Sequence, residues 1–140
     1  MLKYDLEVVT TLKSQLLGAM SLLLELRSKD MKTLEDDPHL LSSAKYNLVV
    51  AIEAAIDICI HLISKNSFRL PDGYKDTFIV LAEQGLIDKE FAAENLAQMT
   101  GFRNRLVHQY WDLDPQMIYN ILQTNLSDLD RFLDEIKRSL

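Results

Sequence analysis

Apolar residues recur at intervals of three and four along almost the whole chain, and this period dominates every long segment. Side chains at this spacing lie on one stripe of an α-helix. Only 4 Gly and 3 Pro occur among the 140 residues, so few positions interrupt a helix. No segment shows the alternation of apolar and polar residues that is typical of a strand. The pattern therefore predicts an all-α fold.

Capping signals divide the helical pattern into four long helices and one short one. At Asp37–Pro38 and again at Asp114–Pro115, an aspartate can cap a helix whose first turn tolerates proline. The segment from Lys65 to Gly73 is rich in turn formers and is predicted to be the main loop. A short helix is expected from Tyr74 to Gln84, because Gly85 can adopt the left-handed conformation that ends a helix. The long helices carry apolar stripes over residues 6–24, 41–62, 91–106 and 118–136.

Helices of this length, joined by short polar segments, bury their stripes against one another. We therefore expect an up-down helical bundle of four long helices, with the segment from Tyr74 to Gln84 as an accessory helix. A chain of 140 residues can build one core but is too short for separate binding and catalytic domains. The prediction is a single domain over residues 1–140.

Cysteine content and the N-terminal residues indicate the compartment. The single cysteine, Cys59, excludes an internal disulfide framework and a Cys-based zinc finger, and it fits a reducing environment. The apolar N-terminal run carries Asp5, Glu7 and Glu25, which a signal peptide or a membrane span would not readily tolerate. We expect a cytoplasmic protein without membrane association.

The net charge of -6, from 15 basic and 21 acidic residues, argues against a protein that coats nucleic acid by bulk attraction. One local exception is the acid-free stretch from Asn95 to Trp111, which contains Arg103, Arg105 and His108. These three residues would form a small cationic patch if they faced one way. The alternative is burial alone, because an equally long acid-free stretch occurs in the first helix.

The stretch from Gly101 to Tyr110 carries more reactive side chains than any other: two arginines, two amides, a histidine and a phenol. On a helical projection Asn104 and His108 share a face, while Arg103 lies about a quarter turn to one side. Arg103 and His108 can therefore meet one ligand only if the helix loosens near His108 or a second chain completes the site. The alternative is structural: the arginines cap a helix end, and His108 hydrogen-bonds a neighbour.

Other candidate residues lie on the second helix. His61 follows Asp57 by four residues, a spacing that allows an Asp–His hydrogen bond or two metal ligands. Two ligands do not close a metal site, so we favour a structural or cleft-lining pair and predict no metal site. Cys59 lies on an apolar stripe, where a thiol acts as a small hydrophobe. His39, at a helix start, is expected to be a surface residue.

Arg103, His108 and Tyr110 have the spacing R-x-x-x-x-H-x-Y. This pattern resembles the signature of the HepT-like toxins, a ribonuclease family within the HEPN superfamily of helical bundles. The order of the surrounding segments is also similar over nearly the whole chain, from an alanine-rich helix to a last helix that follows an aspartate. Trp111 departs from the pattern, since relatives often have Asp there, and we assign it no role. The similar segments are residues 51–61, 74–78 and 81–87 and the helix after Asp114.

The resemblance implies the toxin of a type VII-like toxin–antitoxin module, which cleaves RNA as a metal-independent endoribonuclease without a cofactor. In a homodimer the two motifs would face each other across a cleft, with Arg103 and His108 as catalytic residues and Asn104 in support. A histidine can move protons near neutral pH, and an arginine can stabilise the charge that grows on a phosphate. The family also implies control by a minimal nucleotidyltransferase antitoxin, which attaches AMP to the tyrosine of the motif. Here that residue is Tyr110, which would become O-AMP-tyrosine.

Two other functions are compatible with these residues. One is a catalytically silent HEPN bundle that binds a nucleotide or scaffolds a nucleotidyltransferase. The other is a small helical adaptor in which residues 101–111 form only a dimer interface. The presence of both Arg103 and His108 favours the nuclease, because a silent binder would be free to lose either one. A short motif that contacts phosphate and ribose does not specify which RNA is cleaved.

Overall fold

The computed structural model describes residues 1–140, and all of its regular structure is helical. The all-α prediction is confirmed. A π-helical turn, Ala92–Leu96, joins α5 to α6, and a 3-10 turn, Tyr110–Asp112, follows α6. The α-helices are α1 (Leu6–Arg27), α2 (Met31–Asp36), α3 (Pro38–Asn66), α4 (Tyr74–Glu83), α5 (Lys89–Phe91), α6 (Ala97–His108), α7 (Pro115–Thr124) and α8 (Leu126–Lys137).

Aspartate side chains cap the starts of several helices. Both predicted Asp–Pro caps are confirmed: Asp37 accepts a hydrogen bond from the His39 N–H at 2.9 Å, and Asp114 accepts one from the Met117 N–H at 2.8 Å. Asp30 caps the short helix α2 in the same way. Each cap satisfies a backbone donor that has no partner within the helix. The caps therefore fix where α2, α3 and α7 begin.

The long helix α3 lies at the centre of the bundle. Helix α1 packs along it, and α4, α6, α7 and α8 also contact it. The buried side chains of these helices belong to one hydrophobic cluster of 36 residues, so the chain has a single core. Helix α3 is long and apolar enough to cross a membrane by length and composition. Most of that segment is buried within the bundle, as is usual for the core helix of a soluble protein.

The predicted fourth helix is continuous from Lys89 to His108 and contains a π-helical turn, whereas the predicted last helix is divided in two. Both irregularities involve the buried Asp128. The last helix divides at Asn125, whose side-chain amide donates to Asp128 at 3.4 Å. The fourth helix begins with α5 and the π-helical turn, from which Asn95 donates to the same carboxylate at 3.0 Å. A buried carboxylate needs such donors. The regular spacing of apolar residues in the sequence does not predict this polar cluster.

Two smaller differences from the predicted pattern concern the N-terminal third. Helix α2 is absent from the prediction, because Leu34 is its only buried residue and no apolar period arises. In α1, Leu6 is 68% exposed and Leu24 is 38% exposed, although the predicted stripe places both in the core. Both residues lie at the edge of the stripe that includes the buried Leu16 and Leu23.

The predicted loop from Lys65 to Gly73 is confirmed and is anchored to α4 by Arg69. Its guanidinium lies 2.7 Å from Asp76 and 2.7 Å from Glu83. The hydrogen bonds from Arg69 lower the pKa of Asp76 to about 2. Because Tyr74 is the first residue of α4, this anchor also fixes the position of Tyr74 relative to α3.

Candidate active site

Helix α6 carries the predicted motif and runs in the opposite direction to α3. Arg103, in the middle of α6, pairs with Glu53, whereas Tyr110, beyond its end, contacts Lys45. Glu53 and Lys45 are eight residues apart on α3, which corresponds to about 12 Å along a helix axis. The predicted site residues therefore contact α3 at two separate places.

The Arg103 guanidinium is held by three neighbouring side chains. Its Nη2 and Nε atoms donate to one Glu53 oxygen at 3.0 and 3.2 Å, and its Nη1 donates to Asn104 Oδ1 at 3.2 Å. Its central carbon lies 4.6 Å from the centroid of the Tyr74 ring, which is a cation–π contact. The Arg103 side chain is only 13% exposed. The arginine is therefore fixed in position within one chain.

A small pocket of about 120 Å³ lies beside this arginine and is lined by Glu53, Ile56, Asp57 and Tyr74. Although Asp57 is a solvent-exposed residue, its carboxyl group loses part of its hydration here. This desolvation, followed by the charge of Glu53, raises the pKa of Asp57. The carboxyl groups of Glu53 and Asp57 thus line one small pocket.

His108 is the last residue of α6 and is exposed to solvent. The helix stays regular up to His108, and only Gln109 leaves the helical conformation, with φ -129° and ψ 34°. The His108 side chain makes no hydrogen bond to Arg103 or to any other residue within the chain. The alternative in which His108 hydrogen-bonds a neighbour is therefore wrong for the single chain. The helix loosens only after His108, at Gln109, and this change does not bring the histidine into contact with Arg103.

Tyr110 is anchored to α3 by Lys45. The Lys45 Nζ donates to the Tyr110 carbonyl oxygen at 3.1 Å and lies 4.5 Å from the centroid of the tyrosine ring. The next residue, Trp111, packs its ring edge-on against Tyr110, with 5.3 Å between the ring centroids. Trp111 is nevertheless 91% exposed. At the end of α6, His108 and Trp111 are therefore exposed to solvent, and Tyr110 is half-buried.

The other residues of the motif segment differ in burial. Asn104 accepts a hydrogen bond from Arg103 and makes none to His108. Leu106 is buried in the core of its own chain, whereas Val107 and Trp111 are exposed.

The residues predicted to pair on α3 are separate. His61 Nε2 accepts a hydrogen bond from the Asp5 backbone N–H at 2.9 Å, so His61 binds the start of α1 and not Asp57. The prediction of an Asp57–His61 pair is therefore wrong. Cys59 is fully buried, and burial raises the pKa of its thiol, as expected for a small hydrophobic residue. His39 is exposed, as predicted.

Sequence reasoning missed three residues that hold the motif in place: Lys45, Glu53 and Tyr74. A signal for two of them was present. Between residues 38 and 60, the only charged side chains are Lys45, Glu53 and Asp57. Charges that interrupt so apolar a helix need partners in the folded chain. Tyr74 gave no comparable signal, because its ring reaches Arg103 only through the loop that folds α4 back onto α3.

The profile described as "Ribonuclease HepT-like" matches residues 16–136. This chain belongs to the HepT-like ribonuclease family. It is 33% identical over 108 residues to "mRNA nuclease HepT" of Shewanella oneidensis, covering 77% of this chain and 80% of that protein. It is 31% identical over 93 residues to "tRNA nuclease HepT" of Aphanizomenon flos-aquae, covering 66% of this chain and 63% of that protein. The family predicted from the R-x-x-x-x-H-x-Y spacing is confirmed.

Solved structures agree on the fold. A tri-AMPylated HEPN toxin of Shewanella oneidensis in complex with its MNT antitoxin superimposes with a TM-score of 0.85 at 27% identity, covering 96% of this chain and 99% of that one. A toxin–antitoxin structure with AMP-PNP gives a TM-score of 0.85 at 26% identity, covering 94% of this chain and 98% of that one. The HEPN-like helical bundle is therefore also confirmed.

Proposed function

We propose that this chain is the toxin of a type VII-like toxin–antitoxin module and cleaves RNA in the cytoplasm as a metal-independent endoribonuclease. The observation that carries the proposal is the pairing, on one helix of a HepT-like ribonuclease, of a fixed arginine with a free, exposed histidine. Residues 1–140 would act as one HEPN domain. The names of its relatives include both an mRNA nuclease and a tRNA nuclease.

The chemistry uses the RNA's own 2′-hydroxyl. Its oxygen attacks the adjacent phosphorus, the bond from phosphorus to the 5′-oxygen breaks, and a 2′,3′-cyclic phosphate forms. His108 serves the proton transfers, and Arg103 stabilises the negative charge on the phosphate oxygens. An arginine already held by Glu53, Asn104 and Tyr74 need not reorganise when that charge develops.

A homodimer would complete the site. Arg103 and His108 do not meet within one chain, and the helix between them is regular. Val107 and Trp111 are exposed apolar residues beside His108, and a second copy would cover them. In this arrangement Arg103 of one copy acts on the same phosphate as His108 of the other.

Regulation would occur at Tyr110. A related HEPN toxin is AMPylated and bound to an MNT antitoxin, a minimal nucleotidyltransferase. By analogy, the cognate antitoxin of this chain attaches AMP to the Tyr110 hydroxyl, two residues after His108. The added phosphate repels the RNA backbone, and the purine blocks access to the cleft.

The test is RNA cleavage by the purified protein in excess EDTA, with analysis of the product ends. We expect activity to persist and the products to carry 2′,3′-cyclic phosphates. Co-expression with a cognate nucleotidyltransferase should add AMP to Tyr110 and abolish cleavage, whereas Tyr110→Phe should stay active. A strict requirement for Mg²⁺ would refute the mechanism. Protein that takes up AMP but never cleaves RNA would favour the silent HEPN bundle.

A further inference from the structure

Lys45 is a buried cation without an anionic partner. Only 7% of the residue is exposed, and no carboxylate lies within ion-pair distance of its ammonium group. Its nearest partners are the Tyr110 carbonyl oxygen at 3.1 Å and the Tyr110 ring at 4.5 Å.

This arrangement leaves the ammonium group incompletely satisfied. A lysine ammonium has three N–H donors, and Lys45 makes one hydrogen bond. A carbonyl dipole and an aromatic face compensate a buried charge only in part, since buried charges are normally paired with an opposite charge. An anion that arrives beside Tyr110 would therefore meet a cation with free donors.

The location of Lys45 indicates which anion this is. The lysine contacts Tyr110, which follows the exposed His108 by two residues. Both residues belong to the stretch from Asn95 to Trp111, which has no acidic side chain. The tyrosine hydroxyl lies on the outer edge of the ring that Lys45 already contacts. A phosphate attached to Tyr110 is bonded directly to that oxygen, and the flexible side chain of Lys45 can move its ammonium group toward the phosphate.

We propose that Lys45 is a phosphodiester-binding residue at the Tyr110 end of the site. This inference rests on the proposed function and extends it to a residue outside the R-x-x-x-x-H-x-Y motif. The same chemical group can come from two sources: the backbone of bound RNA, or the AMP carried by Tyr110. In both cases a phosphate oxygen accepts hydrogen bonds from the free N–H donors of Lys45.

The first arm of the test measures binding of RNA. A short oligoribonucleotide with 2′-O-methyl riboses, which cannot be cleaved by its own hydroxyl, is titrated with unmodified protein at several salt concentrations. The variants are Lys45→Met, which keeps the volume of the side chain, Lys45→Arg, which keeps its charge, and Lys65→Met. Lys65 is an exposed lysine on the same helix and serves as the control. Far-UV circular dichroism verifies that each variant is folded.

If RNA is the source, Lys45→Met binds the oligonucleotide about tenfold more weakly. The slope of log K against log salt then falls by about 0.7, the value for one lost phosphate contact on a single strand. Lys45→Arg restores the slope, and Lys65→Met leaves it near that of the parent. A lysine that only anchors the turn would leave the salt slope unchanged.

The second arm measures melting temperatures before and after AMP transfer, with intact mass to verify the modification. If the AMP group is the source, modification raises the Tm of the parent by about 3 °C, and Lys45→Met loses this increase. If Lys45→Met has the same salt slope as the parent and shows the same Tm increase after AMP transfer, the proposal is overturned. A parent that neither cleaves RNA nor takes up AMP overturns the proposed function instead, and the binding arm then decides the role of Lys45 alone.

Discussion

The middle of α6 and its C-terminal end differ sharply in how firmly the chain holds them. Arg103, in the middle, is bound by Glu53, Asn104 and Tyr74 and is mostly buried. His108, at the end, is exposed and has no partner, and Trp111 just beyond it is 91% exposed. The group that would stabilise charge is therefore built into the single chain, whereas the group that would move protons lies on a surface that a second copy can cover.

The difference has a physical reason. Electrostatic stabilisation is most effective when the charged group is already in place, because no energy is then spent on reorienting it during the reaction. Proton transfer requires direct access to the substrate oxygens. A fixed arginine and an accessible histidine satisfy these opposite requirements on one helix. The following predictions test whether the two regions play these separate parts.

The largest effect is expected for the two motif residues. His108→Ala and Arg103→Ala should each lower the rate of RNA cleavage by about 10²- to 10⁴-fold. Their Tm values should differ, since Arg103→Ala leaves Glu53 without its partner, whereas His108→Ala removes no contact. His39→Ala, at an exposed histidine, is the control and should behave as the parent. Full activity in a folded His108→Ala protein would contradict the mechanism.

The next effect concerns the exposed end of α6. Trp111→Ser should raise the dissociation constant of the dimer by about 30-fold, because an aromatic residue at the centre of an interface is commonly worth 2 kcal/mol or more. The Tm of the dilute monomer should hardly change, since the ring is 91% exposed. Leu70→Ser, at a loop residue that is 83% exposed, is the matched control. Sedimentation equilibrium that shows equal dissociation constants would remove Trp111 from the interface.

A smaller effect is expected where the arginine is anchored. Glu53→Gln should lower cleavage by about tenfold and the free energy of unfolding by about 1 kcal/mol, because a partly exposed charge-assisted pair is lost. Glu90→Gln, at an exposed glutamate, is the control. The measurements are initial cleavage rates and urea unfolding. Faster cleavage in Glu53→Gln would mean that Glu53 competes with RNA for Arg103 and does not position it.

The sequence was sufficient to predict the helical class, the family and two helix starts, because these depend on local patterns. The apolar period identified α1 and α3, and Asp37 and Asp114 cap helices where an aspartate precedes a proline. The division at Asn125 could not be predicted in this way. It depends on a contact with Asp128 that also involves the distant Asn95, and no local pattern encodes it.

The candidate site shows the same limit. Arg103, His108 and Tyr110 stand out in the sequence because their spacing is fixed along one helix and its end. Their neighbours Glu53 and Lys45 lie on α3, 50 and 65 residues away in the chain. Only the packing of α6 against α3 reveals that the arginine has a carboxylate partner and that the tyrosine has a cationic one.

Mixed dimers test the central claim most directly. Arg103→Ala and His108→Ala proteins are combined after mild denaturation and refolding, and RNA cleavage is compared with that of each variant alone. If Arg103 of one copy acts with His108 of the other, the mixture should recover about a quarter of the parental activity, since about half of the dimers are mixed and each has one intact site. A mixture as inactive as either variant, with mixed dimers verified by mass, would contradict the account.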